Sequence, residues 1–172
     1  MKIIPIMDTM LYTCVNYKGG YEVEDCFICK KHMGLIQTAG ETIYEDEYVY
    51  VGHIDHNGED SYLGHIMIDL KRHAPSLADL TMEEAKAFGM IMARVSKALK
   101  ESEKAEHIYS LVSGNEVSHL HMHLVPRYPS TPKKFWGPMA VYDWPEAPMG
   151  KNERIVQVCR RLKTTLEIQR ND

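Results

Sequence analysis

Nowhere does the sequence hold an apolar run near the ~20 residues that a membrane-spanning helix needs, so no membrane partner is expected. Its opening stretch, MKIIPIMDTML, is interrupted by Pro5 and Asp8 and lacks the apolar segment and small-residue cleavage site of a secretory leader. Cysteine is scarce, with four residues (Cys14, Cys26, Cys29 and Cys159) in 172. A secreted disulfide scaffold carries more cysteines in fewer residues, so a reducing, cytoplasmic setting is expected. A basic excess is missing too: 20 Lys and Arg stand against 24 Asp and Glu, a net charge of -4. That leaves no electrostatic footprint for nucleic acid or an acidic membrane surface. Internal repeats and low-complexity tracts are absent. The balance favours a small-molecule partner.

What is present fits one ordinary domain, with 44% hydrophobic and 26% charged residues. Residues 1–23 read as an extension broken at Gly19-Gly20. Thr42 to Asp55 reads as two strands or one bent strand, and Leu63 to Lys71 as a short buried strand. The clearest helix covers Thr81 to Lys100. Thr81 is placed as N-cap with Glu84 completing a capping box, and Ala85, Phe88, Met92, Val95 and Leu99 form an apolar stripe. His107 to Val112 and Ser118 to Tyr128 are strand-like. From Pro126 to Pro148 six prolines exclude regular structure apart from short edge pieces. Asn152 to Gln169 reads as a terminal helix with Ile155, Val156, Cys159, Leu162 and Leu166 on one side. Strands, one long helix, then more strands indicate an α+β domain with a mostly antiparallel sheet.

The most informative segment is Ser118-His119-Leu120-His121-Met122-His123-Leu124-Val125. On a strand, alternate side chains share a face, so the three imidazoles are expected on one surface about 7 Å apart, with Leu120, Met122 and Leu124 opposite. Three readings are open. An incidental cluster is one, although each ring nitrogen then needs a partner. A metal site is the second, because His-x-His on a strand is a ligand pair. The third is nucleophilic catalysis by a neutral imidazole attacking phosphorus.

The segment His119-Leu-His-Met-His-Leu-Val125 resembles the His-φ-His-φ-His-φ-φ signature of the histidine-triad (HIT) nucleotide hydrolases, where φ is apolar. Gly64-His65 through Lys71-Arg72-His73 is similar to that family's "Gly-His-x-x-hydrophobic-x-Pro-Lys-x-His" element, with Asp69-Leu70 where a residue and then proline are common. Tyr44 to Tyr50 resembles its "Tyr-Glu-Asp-x-x-Val" strand pair, and Cys26-Phe-Ile-Cys29 its cysteine knuckle with the inner residues exchanged. The resemblance spans about residues 24–128, which sets a histidine-triad domain at 24–130 and leaves 131–172 as a C-terminal extension packed on the same domain.

The resemblance implies a sheet of about five strands under one long helix, with a C-terminal helix added, and a homodimer. It implies hydrolysis of a nucleoside monophosphate from a phosphoanhydride, phosphoramidate or dinucleoside polyphosphate. His121 is then the nucleophile that becomes nucleotidylated, and His65 and His123 surround the phosphate. His123 stands where the transferase branch has Gln, which favours hydrolysis. Cys26, Cys29, His73 and His119 match the ligands of zinc-bearing members, a closed Cys2His2 set that implies structural zinc, with no cofactor required for catalysis. Asp55 is the candidate for the ribose, and Ser113 and Asn115 for the phosphates. Glu116 departs from the pattern, standing where a hydroxyl residue is common. A thiol pair without metal, or a redox pair, remains the other reading of Cys26 and Cys29. For the whole chain, the rivals are a nucleotide-binding adaptor with little turnover and a metalloenzyme using His119, His121 and His123 as ligands. His32, His53, His56 and His107 read as surface or loop residues, and Lys133, Lys134, Trp136 and Trp144 as candidates for a ligand or subunit contact.

Overall fold

The computed structural model describes residues 26–56 and 58–169. The extension read over residues 1–23, with Cys14, lies outside the described residues. A short helix α1 (Phe27–His32) begins at Cys26, whose sulfur caps it by accepting from the Cys29 backbone N–H. Strands β1 (Tyr44–Glu45), β2 (Val49–His53), β3 (Ser61–Tyr62) and β4 (Ile66–Leu70) follow, then the long helix α2 (Met82–Ser102). After it come β5 (His107–Leu111), β6 (His121–Arg127), β7 (Met149–Gly150) and α3 (Asn152–Ile168). Five strands form one antiparallel sheet in the order β1-β2-β4-β6-β5, while β3 and β7 pair separately. The α+β class and the five-stranded sheet agree with the sequence reading.

Strand alternation divides the molecule. Val49, Val51, Ile66, Ile68, Leu70 and Leu124 turn to one face and are buried against α2 and α3. Residues between them turn to the other face, in two rows set by the register. One row is Tyr50, Asp69 and His121, and the next is Gly52, Met67 and His123. Among the described residues, no helix is long and apolar enough to cross a membrane.

The capping box on α2 is formed: Glu84 N–H donates to the Thr81 hydroxyl, and Thr81 N–H to the Glu84 carboxylate. The buried stripe is rotated from the expected one. Glu84, Phe88, Ile91, Val95, Ala98 and Leu99 are covered, while Ala85 is exposed. Arg72 accounts for the rotation at the first turn, since it donates to both Glu84 oxygens and draws that side chain inward. In α3, Val158 is buried where Val156 was expected, and Ile155, Cys159, Leu162 and Leu166 are buried as read.

The strand expected over Ser118–Tyr128 begins only at His121. Before it, His119 N–H donates to Val117 O in a tight turn and Leu120 N–H donates to Ala74 O, so His119 stands outside the ladder. The proline-rich stretch contains 3-10 turns at Lys133–Phe135 and Ala140–Asp143, and it packs Val141 and Tyr142 with Tyr62 and Val125 into a second, smaller core.

Candidate active site and metal centre

His121 opens β6, and its Nδ1 lies 2.6 Å from the His119 carbonyl oxygen. A carbonyl only accepts, so Nδ1 carries the proton and Nε2 keeps an in-plane lone pair. The ring is mostly buried yet lines a cleft of about 320 Å3 between the Pro75–Ala78 loop and Val112–Gly114. A neutral imidazole with its lone pair at a cleft is a competent nucleophile.

His123, two residues on along β6, has its ring centroid 5.1 Å from that of His121. Its Nδ1 is 2.9 Å from Nε2 of His65, which is 2% exposed at the entry to β4. On its other side, His65 Nδ1 is hydrogen-bonded to the Tyr142 hydroxyl. Burial, then the neighbouring His123, hold His65 well below the ordinary imidazole range. Burial, then His121, lower His123 as well. His65 and His123 are thus a neutral, hydrogen-bonded pair beside the His121 ring. Gly64 makes the approach of His65 possible: it adopts φ +85, and a Cβ there would lie 2.5 Å from the Tyr128 hydroxyl.

Cys26, Cys29, His73 and His119 form a second cluster, all buried, with one ligand atom from each lying within 4.8 Å of the others. His119 Nδ1 is 3.3 Å from the Cys26 sulfur and 3.5 Å from that of Cys29, and His73 Nδ1 is 3.4 Å from Cys29. A tetrahedral zinc with ordinary Zn–S and Zn–N bonds sets sulfur and nitrogen about 3.6 Å apart, so the donor set fits that ion. His119 Nε2, 2.7 Å from Leu70 O, must donate there, which turns the lone pair of Nδ1 toward the sulfurs. Hydrogen bonds from Cys29, from its thiol first and also from its backbone N–H, pull the Cys26 thiol well below its usual range, as a metal-binding thiolate requires.

Between the clusters lies Asp69, fully buried and opposite His121 in the register. Burial opposes its charge, but Lys31 and His32 from α1 outweigh that and keep the carboxyl far below the usual carboxylate range. Lys31 also sits over the Tyr50 ring, 4.7 Å from its centroid.

Of the other sequence candidates, Ser113 lines the cleft beside His121, while Asn115 and Glu116 are exposed. Asp55 lines a narrow space with Phe27, Ile28, Gly52 and Met67, and its carboxylate accepts from the Ala39 and Gly58 N–H groups. His53 is corrected from a surface to a buried residue: on β2 its Nδ1 donates to Ile54 O and its Nε2 accepts from Gly64 N–H. His32 is likewise drawn inward by Asp69. Trp136 stacks on the Arg127 guanidinium at 3.8 Å and donates to Thr131 O, a packing role. Sequence reasoning missed Tyr142, whose proline-rich surroundings carry no periodic signal.

Residues 37–130, more than half of the chain, match the family model of the HIT domain. The chain belongs to the HIT domain family. Membership supports a nucleotide-binding or hydrolase-type function. Among curated relatives, "Protein hit" of Bacillus subtilis (strain 168) is 29% identical over 110 residues, 61% of this chain and 72% of that protein. Among solved structures, a hypothetical histidine triad nucleotide-binding protein from Sulfolobus tokodaii has a TM-score of 0.64 at 18% identity, covering 84% of this chain and 94% of its own. A Zn-bound histidine triad family protein from Mycobacterium smegmatis has a TM-score of 0.62 at 19% identity, covering 86% and 97%. At these identities the two structures establish a shared HIT fold.

Proposed function

We propose that the protein hydrolyses nucleotide conjugates through a covalent nucleotidyl-His121 intermediate. The observation that carries this reading is the hydrogen bond from His121 Nδ1 to the His119 carbonyl, which leaves the Nε2 lone pair at the cleft. In the first step Nε2 attacks the α-phosphorus, a P–N bond forms, and the bond to the leaving group breaks as that group takes up a proton from solvent. Water then attacks the same phosphorus and gives up a proton to solvent, the P–N bond breaks, and a nucleoside monophosphate leaves with the imidazole restored. His123 hydrogen-bonds the developing charge on the phosphoryl group, and His65, bonded to His123 Nδ1, holds that ring in place. The cleft that includes Ser113 takes the phosphates with Asn115, and Glu116, being exposed, keeps its charge in solvent. The nucleoside is assigned to the side of Asp55, whose carboxylate retains lone pairs for ribose hydroxyls after accepting two backbone N–H groups.

Cys26, Cys29, His73 and His119 would hold a structural zinc that ties α1 to the start of β6 and fixes the His119 carbonyl against His121. This geometry disfavours a metal shared by the three triad histidines, because His119 commits Nδ1 to the cysteines and Nε2 to Leu70. By family resemblance we assign a homodimer, and from the sparse cysteines and the acidic balance a cytoplasmic setting without a nucleic-acid partner.

The test is release of AMP from adenosine 5'-phosphoramidate, measured beside nucleotide binding and zinc content. Wild type is expected to turn over. His121→Ala is expected to lose about 10³-fold or more of the rate, as when a nucleophile is removed, while keeping zinc and binding. Binding without turnover in the wild type would replace this reading with a nucleotide-binding adaptor.

A further inference from the structure

The proline-rich segment after β6 delivers a side chain to the imidazole set from well outside the strands that carry the histidines. Val141 is fully buried in the smaller core, which pins the 3-10 turn Ala140–Asp143. Tyr142 stands next to it, with its ring 5.3 Å from Tyr62 and 5.8 Å from His65 in an edge-on contact. Its hydroxyl reaches His65 Nδ1, and His65 Nε2 reaches His123 Nδ1 at 2.9 Å.

A neutral imidazole has one N–H and one lone pair, so the direction of the first bond in this chain dictates the rest. A phenol is a good donor and a weak acceptor, and an imidazole nitrogen is the reverse. The favoured order is therefore Tyr142 O–H to His65 Nδ1, then His65 Nε2–H to His123 Nδ1. His123 is left with its proton on Nε2. The opposite order would present a lone pair there, which a negatively charged phosphoryl oxygen would repel. Burial raises the Tyr142 phenol well above its usual range and lowers His65, which keeps both groups neutral for this exchange.

We propose that Tyr142 is a positioning residue: it donates to His65 Nδ1 and so sets the tautomers of His65 and His123, making His123 Nε2–H a donor to the phosphoryl group. The part concerning the phosphoryl group rests on the proposed hydrolase reading; the tautomer assignment does not.

The test combines ¹⁵N-imidazole NMR with steady-state kinetics on adenosine 5'-phosphoramidate, for wild type, Tyr142→Phe and Tyr62→Phe. Tyr62 belongs to the same aromatic core, and its hydroxyl makes no hydrogen bond to a histidine, so Tyr62→Phe reports any general loosening. In the wild type, His65 is expected as the Nε2–H tautomer. In Tyr142→Phe that preference is lost and kcat falls by about 10- to 100-fold, the cost of removing a group that orients another's imidazole, with KM changed less than about threefold. Tyr62→Phe keeps both the tautomer and kcat. An Nδ1–H tautomer of His65 in the wild type, or an unchanged tautomer and rate in Tyr142→Phe, overturns the proposal. Wild type without turnover would defeat the hydrolase reading alone, and the tautomers of wild type and Tyr142→Phe would still decide the role of Tyr142.

Discussion

Two imidazole clusters meet where β6 begins, and the same residue type does opposite work in each. Just before β6, His119, joined by His73 from beyond β4, turns Nδ1 toward two cysteine sulfurs, inside a cluster closed to solvent. Two residues on, His121 spends Nδ1 on a backbone carbonyl and keeps Nε2 for a cleft, while His123 and His65 bond to each other. The difference lies in what occupies the second nitrogen of each ring. A donor set with every lone pair converging fits a structural ion, and a set with one lone pair left at a cleft fits a nucleophile. The His119 carbonyl joins the clusters, so the closed one orients the open one.

The largest expected effect separates the two. His119→Ala should release zinc and lower stability as well as rate, whereas His121→Ala should lose about 10³-fold or more of the rate with zinc retained. Metal analysis and AMP release on the same samples check this. Equal zinc loss from both variants would break the division into a structural and a catalytic cluster.

Next in size is Cys26→Ala, which removes a thiolate at the cap of α1. We expect zinc loss and a destabilisation of about 3 kcal/mol, read by calorimetry as a fall of roughly 6–12 °C in Tm. An unchanged Tm would mean that the cluster holds nothing that the fold depends on.

Gly64→Ala probes the open cluster from behind. At φ +85, with the Tyr128 hydroxyl 2.5 Å from the new Cβ, it should cost about 2 kcal/mol and displace His65. Denaturant titration and the His65 ring resonances should move together.

The smallest expected effect is a pH slope. Burial lowers His53 and His65 below the ordinary value of 6.5, so both are neutral in the folded state and protonate on unfolding in acid. The unfolded chain then binds more protons. Stability is therefore fully present above about pH 6.5 and falls as the pH drops from there, by up to about 1.4 kcal/mol per pH unit for each residue. His53→Gln should flatten the slope in urea titrations between pH 7 and 5, and an unchanged slope would place the proton uptake elsewhere.

Much of this was legible because it is local. The alternation of His121 and His123, the Thr81–Glu84 capping box and the Cys26–Cys29 spacing are short-range patterns, and the long helix follows from its own, whereas the count of five strands rests on the family resemblance. The remainder depends on contacts far apart in sequence. The turn that removes His119 from the strand is fixed through Val117, Ala74 and Leu70. The phase of the α2 stripe depends on Arg72 reaching Glu84. His53 is buried because Gly64 N–H arrives at its ring, and Tyr142 acts from a segment with no periodicity at all.

The central claim is that the lone pair of His121 attacks phosphorus. Intact-protein mass after millisecond mixing with adenosine 5'-phosphoramidate and denaturing quench tests it most directly. The account predicts an adenylyl increment on the wild type, located by fragmentation at His121 and absent from His121→Ala. AMP released with no adduct on His121 at any mixing time would contradict it, and would put water rather than the imidazole on phosphorus.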